Sequence, residues 1–464
     1  MYSLLFRALP HPFGGPGNRG GAPARIELLW GKGLTGMNFE VNSGATGAIS
    51  GEATGNNPRE NGTANLTNPV NAYARAGVDT QAGDRAVELM KTAVQATQGP
   101  EVLGGTGGFA GLYDASAAEM TTMRRPLLAT STDGVGTKIE LAKVMRIFDT
   151  IGQDLVGMVV DDLTPAGVRP LFMTDYIACG RVVPQMIASV VEGIARACQA
   201  VDCALVAGET AEHPGVLGVA DFDVAGAATG VVDAPRLLGP QRVCAGDMVV
   251  GFGASGLHSN GYSLVRRIVA DAGVAWESSI PQSYGVVAPH GSPFADGADY
   301  SLGHACLEPT RLYSRLCLDL ENSGWLAARQ AGDFVGELDG NRVHAFAHVT
   351  GGGLAANLCR VIPAGLHAVV DRSTWQVPGI FRYLMDLGGI DAVSAEDTWN
   401  LGVGMVALVH PDFVPATVQA AQRAGMEAFV MGTVSDGIPA GERLISGTKG
   451  VSGGTVALRG EYRY

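Results

Sequence analysis

The residues best suited to chemistry begin at Asp133-Gly134-Val135-Gly136-Thr137-Lys138, directly after the apolar run Pro126-Leu127-Leu128-Ala129-Thr130. Two glycines let backbone N–H groups turn toward an anion. Thr137 can donate to a phosphate, Lys138 can neutralise it and Asp133 can hold a divalent metal. The spacing is not that of a Walker A loop, G-x-x-x-x-G-K-[ST]. The same hexapeptide also serves as a tight turn with a surface lysine.

Further candidates lie downstream. Asp149-Thr150-Ile151-Gly152, and Asp161-Asp162 after the apolar Val156–Val160, suit a metal held against a polyphosphate or two solvated element ends. Glu209 in Gly208-Glu209-Thr210 suits a metal, a substrate amine or a simple cap. Ser255–Leu264 joins a strand to a helix and places His258 near a helix start, where imidazole can transfer protons or merely pack. His348-Val349-Thr350-Gly351-Gly352-Gly353 suits a close ligand or a chain crossing. His344 and His348 are four apart but lack the glutamate of H-E-x-x-H, which excludes a zinc protease site. Asn400–Met405 reads as a strand with bulge glycines.

These loops need a large scaffold. The chain has 464 residues, 46% hydrophobic and 17% charged, enough for two to three domains. Its net charge of −13 makes nucleic acid or an anionic membrane a poor partner. Seven dispersed cysteines without a C-x-x-C suit a reducing compartment, and a cytoplasmic location is expected. No apolar run reaches membrane-spanning length. Residues 1–68 are rich in Gly, Asn, Pro, Ser and Thr, and read as a disordered extension, with Met37 a candidate start. Helices are expected over 83–97, 186–200 and 261–272, and strands over 126–130, 203–207, 223–232, 247–253, 367–371 and 402–410. A boundary falls near 239–246, and 276–303 reads as a polar surface loop. Strands and helices interleave in both halves, so the class is mixed α/β.

The order of these loops resembles the phosphoribosylformylglycinamidine cyclo-ligases, also called aminoimidazole ribonucleotide synthetases, from about Tyr73 to Gly432. The resemblance is carried by Tyr73–Asp79, Gly104–Gly111, Ser131–Lys138, Asp149–Gly152, Gly208–Glu212, His258–Arg266, Glu308-Pro309-Thr310-Arg311, Thr350–Gly353, Asp371–Gln376 and Asn400–Met405. It implies a two-domain fold: an ATP-binding and dimerisation domain over 69–240, whose sheet pairs across a homodimer, and a C-terminal α/β domain over 241–440, followed by a tail over 441–464. It implies ATP-dependent closure of formylglycinamidine ribonucleotide to aminoimidazole ribonucleotide in purine biosynthesis, with ATP and Mg²⁺ as cofactors. Carried over by motif, ATP falls to Lys91, Asp133, Gly134, Gly136, Thr137, Lys138, Asp149, Thr150 and Glu209. Metal falls to Asp133 and Asp162. Substrate falls to His258, Ser259, Asn260, Gly351 and Gly352, with His258 as the proton acceptor.

The chain departs from the pattern at three motif positions, and the insertion at 276–303 and the N-terminal tail also fall outside it. Asp161 stands where the family usually has Asn, and Ala207 where it usually has Gly. Leu401 replaces a usual Cys, which argues against a catalytic thiol. Two alternatives stay open: a sister kinase or synthetase such as thiamine-monophosphate kinase, and a non-catalytic nucleotide-binding relative. His258–Arg266 and Asp371–Gln376 match the cyclo-ligase rather than the sisters.

Overall fold

The computed structural model describes residues 78–464, except 105–107, 119, 296–299, 333, 336–337, 441–442 and 447–452. The extension over 1–68 and most of the Tyr73–Asp79 motif lie outside the described residues. The first element, α1 (Thr80–Gln95), is capped by Asp79, whose carboxylate accepts the Ala82 N–H at 3.1 Å.

Four strands form the first sheet: β1 (Pro126–Gly134), β2 (Arg169–Cys179), β3 (Ala204–Glu212) and β4 (Phe222–Asp233), in the order β1-β4-β2-β3. β2 and β3 run parallel and the other pairs antiparallel. Met173, Ile177, Val224 and Ala228 face inward and are fully buried. Helices α2 (Lys138–Met145), α3 (Asp149–Val160) and α4 (Pro184–Ala200) follow the same chain, and the buried side chains of α3 and α4 pack into one core with the inward residues of this sheet. The opposite face carries Leu128, 64% exposed, and Tyr176, 43% exposed.

α3 and α4 cross closely because each has a glycine at the contact. A Cβ on Gly152 would meet the backbone of Val190 and Ile194, and one on Gly193 would meet the Asp149 carbonyl. The glycine of Asp149-Thr150-Ile151-Gly152 therefore serves helix packing. Asp149 pairs with Arg196 at 2.9 Å, and Thr150 is buried.

The second half is built on seven strands: β5 (Met248–Gly253), β6 (Val343–His348), β7 (His367–Asp371), β8 (Val403–Val409), β9 (Ala428–Ser435), β10 (Leu444–Ser446) and β11 (Thr455–Arg459). Their order is β6-β8-β5-β9-β7-β11-β10, with only β7 and β11 parallel. β8 is buried along its whole length. α5 (Tyr262–Asp271), α6 (Leu302–Leu307), α7 (Ser314–Ala331) and α8 (Gly353–Leu358) complete the part that positions the site. Leu316, Cys317 and Leu320 of α7 pack with Phe252, Phe346 and Met405, while Leu354 and Leu358 of α8 pack with Val249, Val406 and Leu408.

Two expectations change. Residues 441–464, read as a tail, supply β10 and β11, because Val456, Ala457 and Leu458 are buried in the sheet. Arg372 fixes this return: it forms two 2.9 Å bonds with Glu396 and donates to the Leu458 carbonyl at 2.7 Å. The described residues of 276–303 are not a loose loop. Gly303 and Leu302 donate to the carbonyls of Trp276 and Ser278 at 2.7 and 2.9 Å, and Tyr284 donates to Asp386 at 3.0 Å. Trp276, Phe294 and Tyr300 pack against the core, an anchoring hidden in the sequence by the Ser, Gly and Pro between them.

Candidate active site

A cavity of about 540 Å³ opens between the two sheets. Its size is ordinary for a small-molecule site. One wall is the end of β1 and the turn after it: Asp133, Gly134, Val135 and Gly136. Another is the start of β4: Asp223, Val224 and Ala225. The third comes from the second half: Ser259, Asn260, Thr350 and Gly351. Met158 of α3 completes it. The ionisable side chains in this wall are Asp133 and Asp223.

The turn is shaped for approach to a ligand. Gly136 has φ +72°, and the atom nearest to where a Cβ would stand is the Ser259 carbonyl oxygen, 4.0 Å away. Val135 is pinned beneath it, donating to the Val224 carbonyl at 3.3 Å. Asp133 Oδ1 accepts the Gly134 N–H at 2.8 Å, and Asp223 Oδ1 accepts the Val224 N–H at 2.9 Å. The Ser259 hydroxyl is buried with no hydrogen-bond partner among the described residues. Among the described residues Asn260 Nδ2 reaches only Met158 Sδ, at 3.7 Å. The wall therefore presents two carboxylates, a glycine turn, two hydroxyls and an amide. Hard oxygen donors beside backbone N–H groups fit a magnesium-bound polyphosphate. Among the described residues no group of three or more His, Cys, Asp and Glu is poised to hold a metal without such a ligand.

The structure thus brings together Asp133, Gly134, Gly136, Ser259, Asn260 and Gly351, and adds Asp223, which the motifs did not single out. Gly352, at φ +96°, caps the start of α8 beside them. Thr137 lies just past the turn, its hydroxyl 3.1 Å from Ser263.

Other expected residues stand elsewhere. Lys138 is fully buried, and its ammonium donates to Asp154 and to the carbonyls of His258 (3.0 Å) and Glu308 (2.7 Å). Its three N–H groups are used, so in this geometry it does not meet a phosphate. Burial lowers its pKa, against the pull of Asp154. Lys91 is half-buried on α1, 3.8 Å from Glu88. Glu209 is exposed on β3, in register with Tyr176. Asp149 and Thr150 belong to the α3–α4 contact described above.

His258 corrects the proton-acceptor reading. The residue is 1% exposed, and its ring faces Tyr313 at 6.0 Å between centroids rather than the cavity. Its Nε2 accepts the Ser255 N–H at 3.2 Å. Burial and the positive charges nearby hold its pKa well below the usual histidine value. The φ of +59° at His258 turns the chain so that Ser259 and Asn260 reach the cavity. Gly404 faces the ring: a Cβ there would meet both His258 and the Tyr313 hydroxyl.

Asp162 also stands apart from Asp133. It lines a second cavity of about 220 Å³, with His348, Asn357 and Arg360, and its Oδ1 is 2.8 Å from His348 Nδ1. Its neighbour Asp161 is buried, and both carboxylate oxygens accept the Tyr313 N–H, at 3.1 and 3.0 Å. Burial pushes Asp161 up to about 7.

Residues 114–232 match the model of the AIR synthase related protein N-terminal domain, and 326–439 match the corresponding C-terminal domain. The phosphoribosylformylglycinamidine cyclo-ligase of Desulfitobacterium hafniense is 42% identical over 364 residues, covering 78% of this chain and 96% of that protein. The enzyme of the same name from Thermosynechococcus vestitus is 41% identical over 372 residues, covering 80% and 98%. The chain belongs to the phosphoribosylformylglycinamidine cyclo-ligase family. The fold is shared more widely: thiamine-monophosphate kinase from Stenotrophomonas maltophilia superposes with a TM-score of 0.54 at 18% identity, over 80% of this chain and 96% of that one. E. coli HypE, a hydrogenase maturation protein, gives 0.51 at 16%, over 83% and 95%. Within the cyclo-ligase family assignment, the cavity walls come from both matched domains and from the segment between them, which supplies Ser259 and Asn260.

Proposed function

We propose that this chain closes formylglycinamidine ribonucleotide to 5-aminoimidazole ribonucleotide, with ATP converted to ADP and phosphate. The observation that carries the reading is the cavity itself. It sets the Asp133–Gly136 turn of one half against Ser259, Asn260, Thr350 and Gly351 of the other.

The chemical obstacle is a poor leaving group. Expelling an amide oxygen as hydroxide is slow; transferring the γ-phosphoryl group to that oxygen lets it depart as phosphate. Phosphoryl transfer needs positioning and charge stabilisation more than protein nucleophiles. The N–H groups of the Gly134–Gly136 turn would receive phosphate oxygens, and Asp133 would hold Mg²⁺, which supplies neutralisation of the phosphate charge when bound. Asn260, Ser259 and Thr350 would orient the ribonucleotide. The amidine nitrogen then attacks the activated carbon, the C–O bond breaks and the ring closes.

The proposal includes a homodimer built on the outward face of the first sheet, where Leu128 and Tyr176 are exposed. Lys91 and Glu209 belong to this reading as nucleotide contacts outside the cavity. It also divides the chain into an ATP-binding half over 69–240 and a second half from 241 that includes β10 and β11, and places the enzyme in the cytoplasm. Among the described residues no helix is long and apolar enough to cross a membrane.

Incubation with ATP, Mg²⁺ and the amidine ribonucleotide tests the activity. ADP and an aminoimidazole should form together in equal amounts. ADP formation only with a different acceptor, such as thiamine monophosphate, would replace this reading with the sister-kinase one.

A further inference from the structure

The substrate class proposed above has one feature that sets it apart from other ribonucleotides. An amidine is a strong base and is a delocalised cation at neutral pH, planar and rich in N–H donors like the end of an arginine side chain. Such a cation pairs best with a carboxylate, through charge-assisted hydrogen bonds. Among the described residues the cavity wall holds two carboxylates and no lysine, arginine or histidine. Asp133 immediately precedes the glycine turn, and its Oδ1 is engaged by the turn's own Gly134 N–H, which places it on the phosphate side. Asp223 begins the opposite strand, β4. Its Oδ1 accepts the Val224 N–H at 2.9 Å, while Oδ2 makes no hydrogen bond among the described residues. The buried His258 packs its ring against Tyr313, with 6.0 Å between centroids.

We propose that Asp223 is the specificity-determining residue for the amidine: its carboxylate binds the amidinium N–H groups and accepts the proton that the attacking nitrogen loses. The inference rests on the cyclo-ligase reading. The step balances. One N–H bond breaks and its proton passes to Asp223. The released nitrogen pair forms the C–N bond, the C–O bond to the phosphorylated oxygen breaks, and phosphate departs with the electron pair of that C–O bond.

The test compares two ligands. One is the amidine ribonucleotide; the other is its neutral amide counterpart, with C=O in place of C=NH. Affinities are measured by calorimetry on the full chain with Mg²⁺ and a non-hydrolysable ATP analogue, for wild type, Asp223→Asn and Asp223→Glu. Wild type should prefer the amidine. Asp223→Asn should lose about 10–100-fold of that preference, the range of one charge-assisted hydrogen bond, with affinity for the ATP analogue unchanged. Asp223→Glu should restore part of the preference, which a merely structural role would not require. Circular dichroism confirms that the variants are folded.

Unchanged preference in Asp223→Asn, or an equal weakening of both ribonucleotides, overturns the assignment. So does a primary loss of ATP-analogue affinity, which would make Asp223 part of the metal–phosphate site. A wild type that neither binds nor cyclises the amidine would instead remove the reading on which the inference rests.

Discussion

Lys138 Nζ lies 2.7 Å from Asp154 Oδ2, and both side chains are fully buried. The pair ties the start of α2 to α3. Through the carbonyls of His258 and Glu308 it also ties both helices to the second half. Asp154 in turn accepts the Thr310 N–H at 2.8 Å and its hydroxyl at 2.7 Å. A lysine in a glycine loop thus acts as an internal clasp that holds the active-site turn in place.

Removing the ammonium should leave the Asp154 charge buried without its partner. Lys138→Met is expected to lose about 3–5 kcal/mol of stability. Chemical denaturation reads this directly. Normal stability together with weakened ATP binding would instead put Lys138 back at the phosphates.

His258→Asn separates two roles. Asparagine tolerates the left-handed backbone at this position better than most residues. The variant should melt earlier, because the packing against Tyr313 is lost, yet the fraction that remains folded should turn over within about tenfold of wild type, less than the 10²–10⁴ expected from loss of a general base. Turnover of a well-folded variant reduced a hundredfold would return the proton-accepting role to His258.

Much of this architecture was legible from local chemistry. Gly134 and Gly136 announce a turn whatever surrounds them, and the apolar run before them announces β1. Roles that depend on distant neighbours were not legible. Lys138 reads as a phosphate ligand until Asp154, sixteen residues away, is seen to meet it. Gly152 reads as part of a phosphate motif until α4 lies against it. Asp223 was overlooked because Phe222-Asp223-Val224 reads as plain strand alternation, with nothing to say that its outward acid faces a cavity. β11 was missed because Gly- and Ser-rich sequence separates it from the rest of its sheet, and a parallel pairing with β7 is a long-range choice.

Gly404→Ala tests how closely the interior behind the site is packed. The new methyl would meet both His258 and the Tyr313 hydroxyl, and β8 is buried throughout, leaving little room to relax. A loss of about 1–3 kcal/mol is expected, as for other overpacked cores. Thermal melting at a fixed pH measures it; an unchanged melting temperature would mean that the two rings are not held where the structure places them.

Asp161 predicts an unusual pH dependence. Its carboxyl titrates at about 7 in the folded chain, against an ordinary value of 3.8. The folded state therefore binds more protons than the unfolded state between these values, and stability falls as pH rises from about 4 to about 7. Asp161→Asn removes the buried charge while retaining one oxygen to accept the Tyr313 N–H. It should be nearly neutral near pH 4 and stabilising at pH 8, by up to about 4 kcal/mol at 1.36 kcal/mol per pKa unit. Denaturation curves for both proteins across pH 4–8 decide it: parallel profiles would show that Asp161 does not set the slope.

The exposed face of the first sheet makes the last prediction. Leu128 and Tyr176 point to the same side, because paired residues across β1, β4 and β2 share a face: Leu128 is opposite Val231, and Ala225 is opposite Tyr176. β1 is also an edge strand with no neighbour on its outer side among the described residues, and such a strand is a site for pairing with another chain. A second copy of the chain would cover both the leucine and the edge. If the proposed homodimer forms through this face, Leu128→Lys places a charge in the contact and lowers the light-scattering mass from that of two copies to that of one at micromolar concentration, with circular dichroism unchanged because Leu128 is exposed. A wild type with the mass of one copy, or a variant whose mass is unchanged, overturns the assignment of this face as the contact.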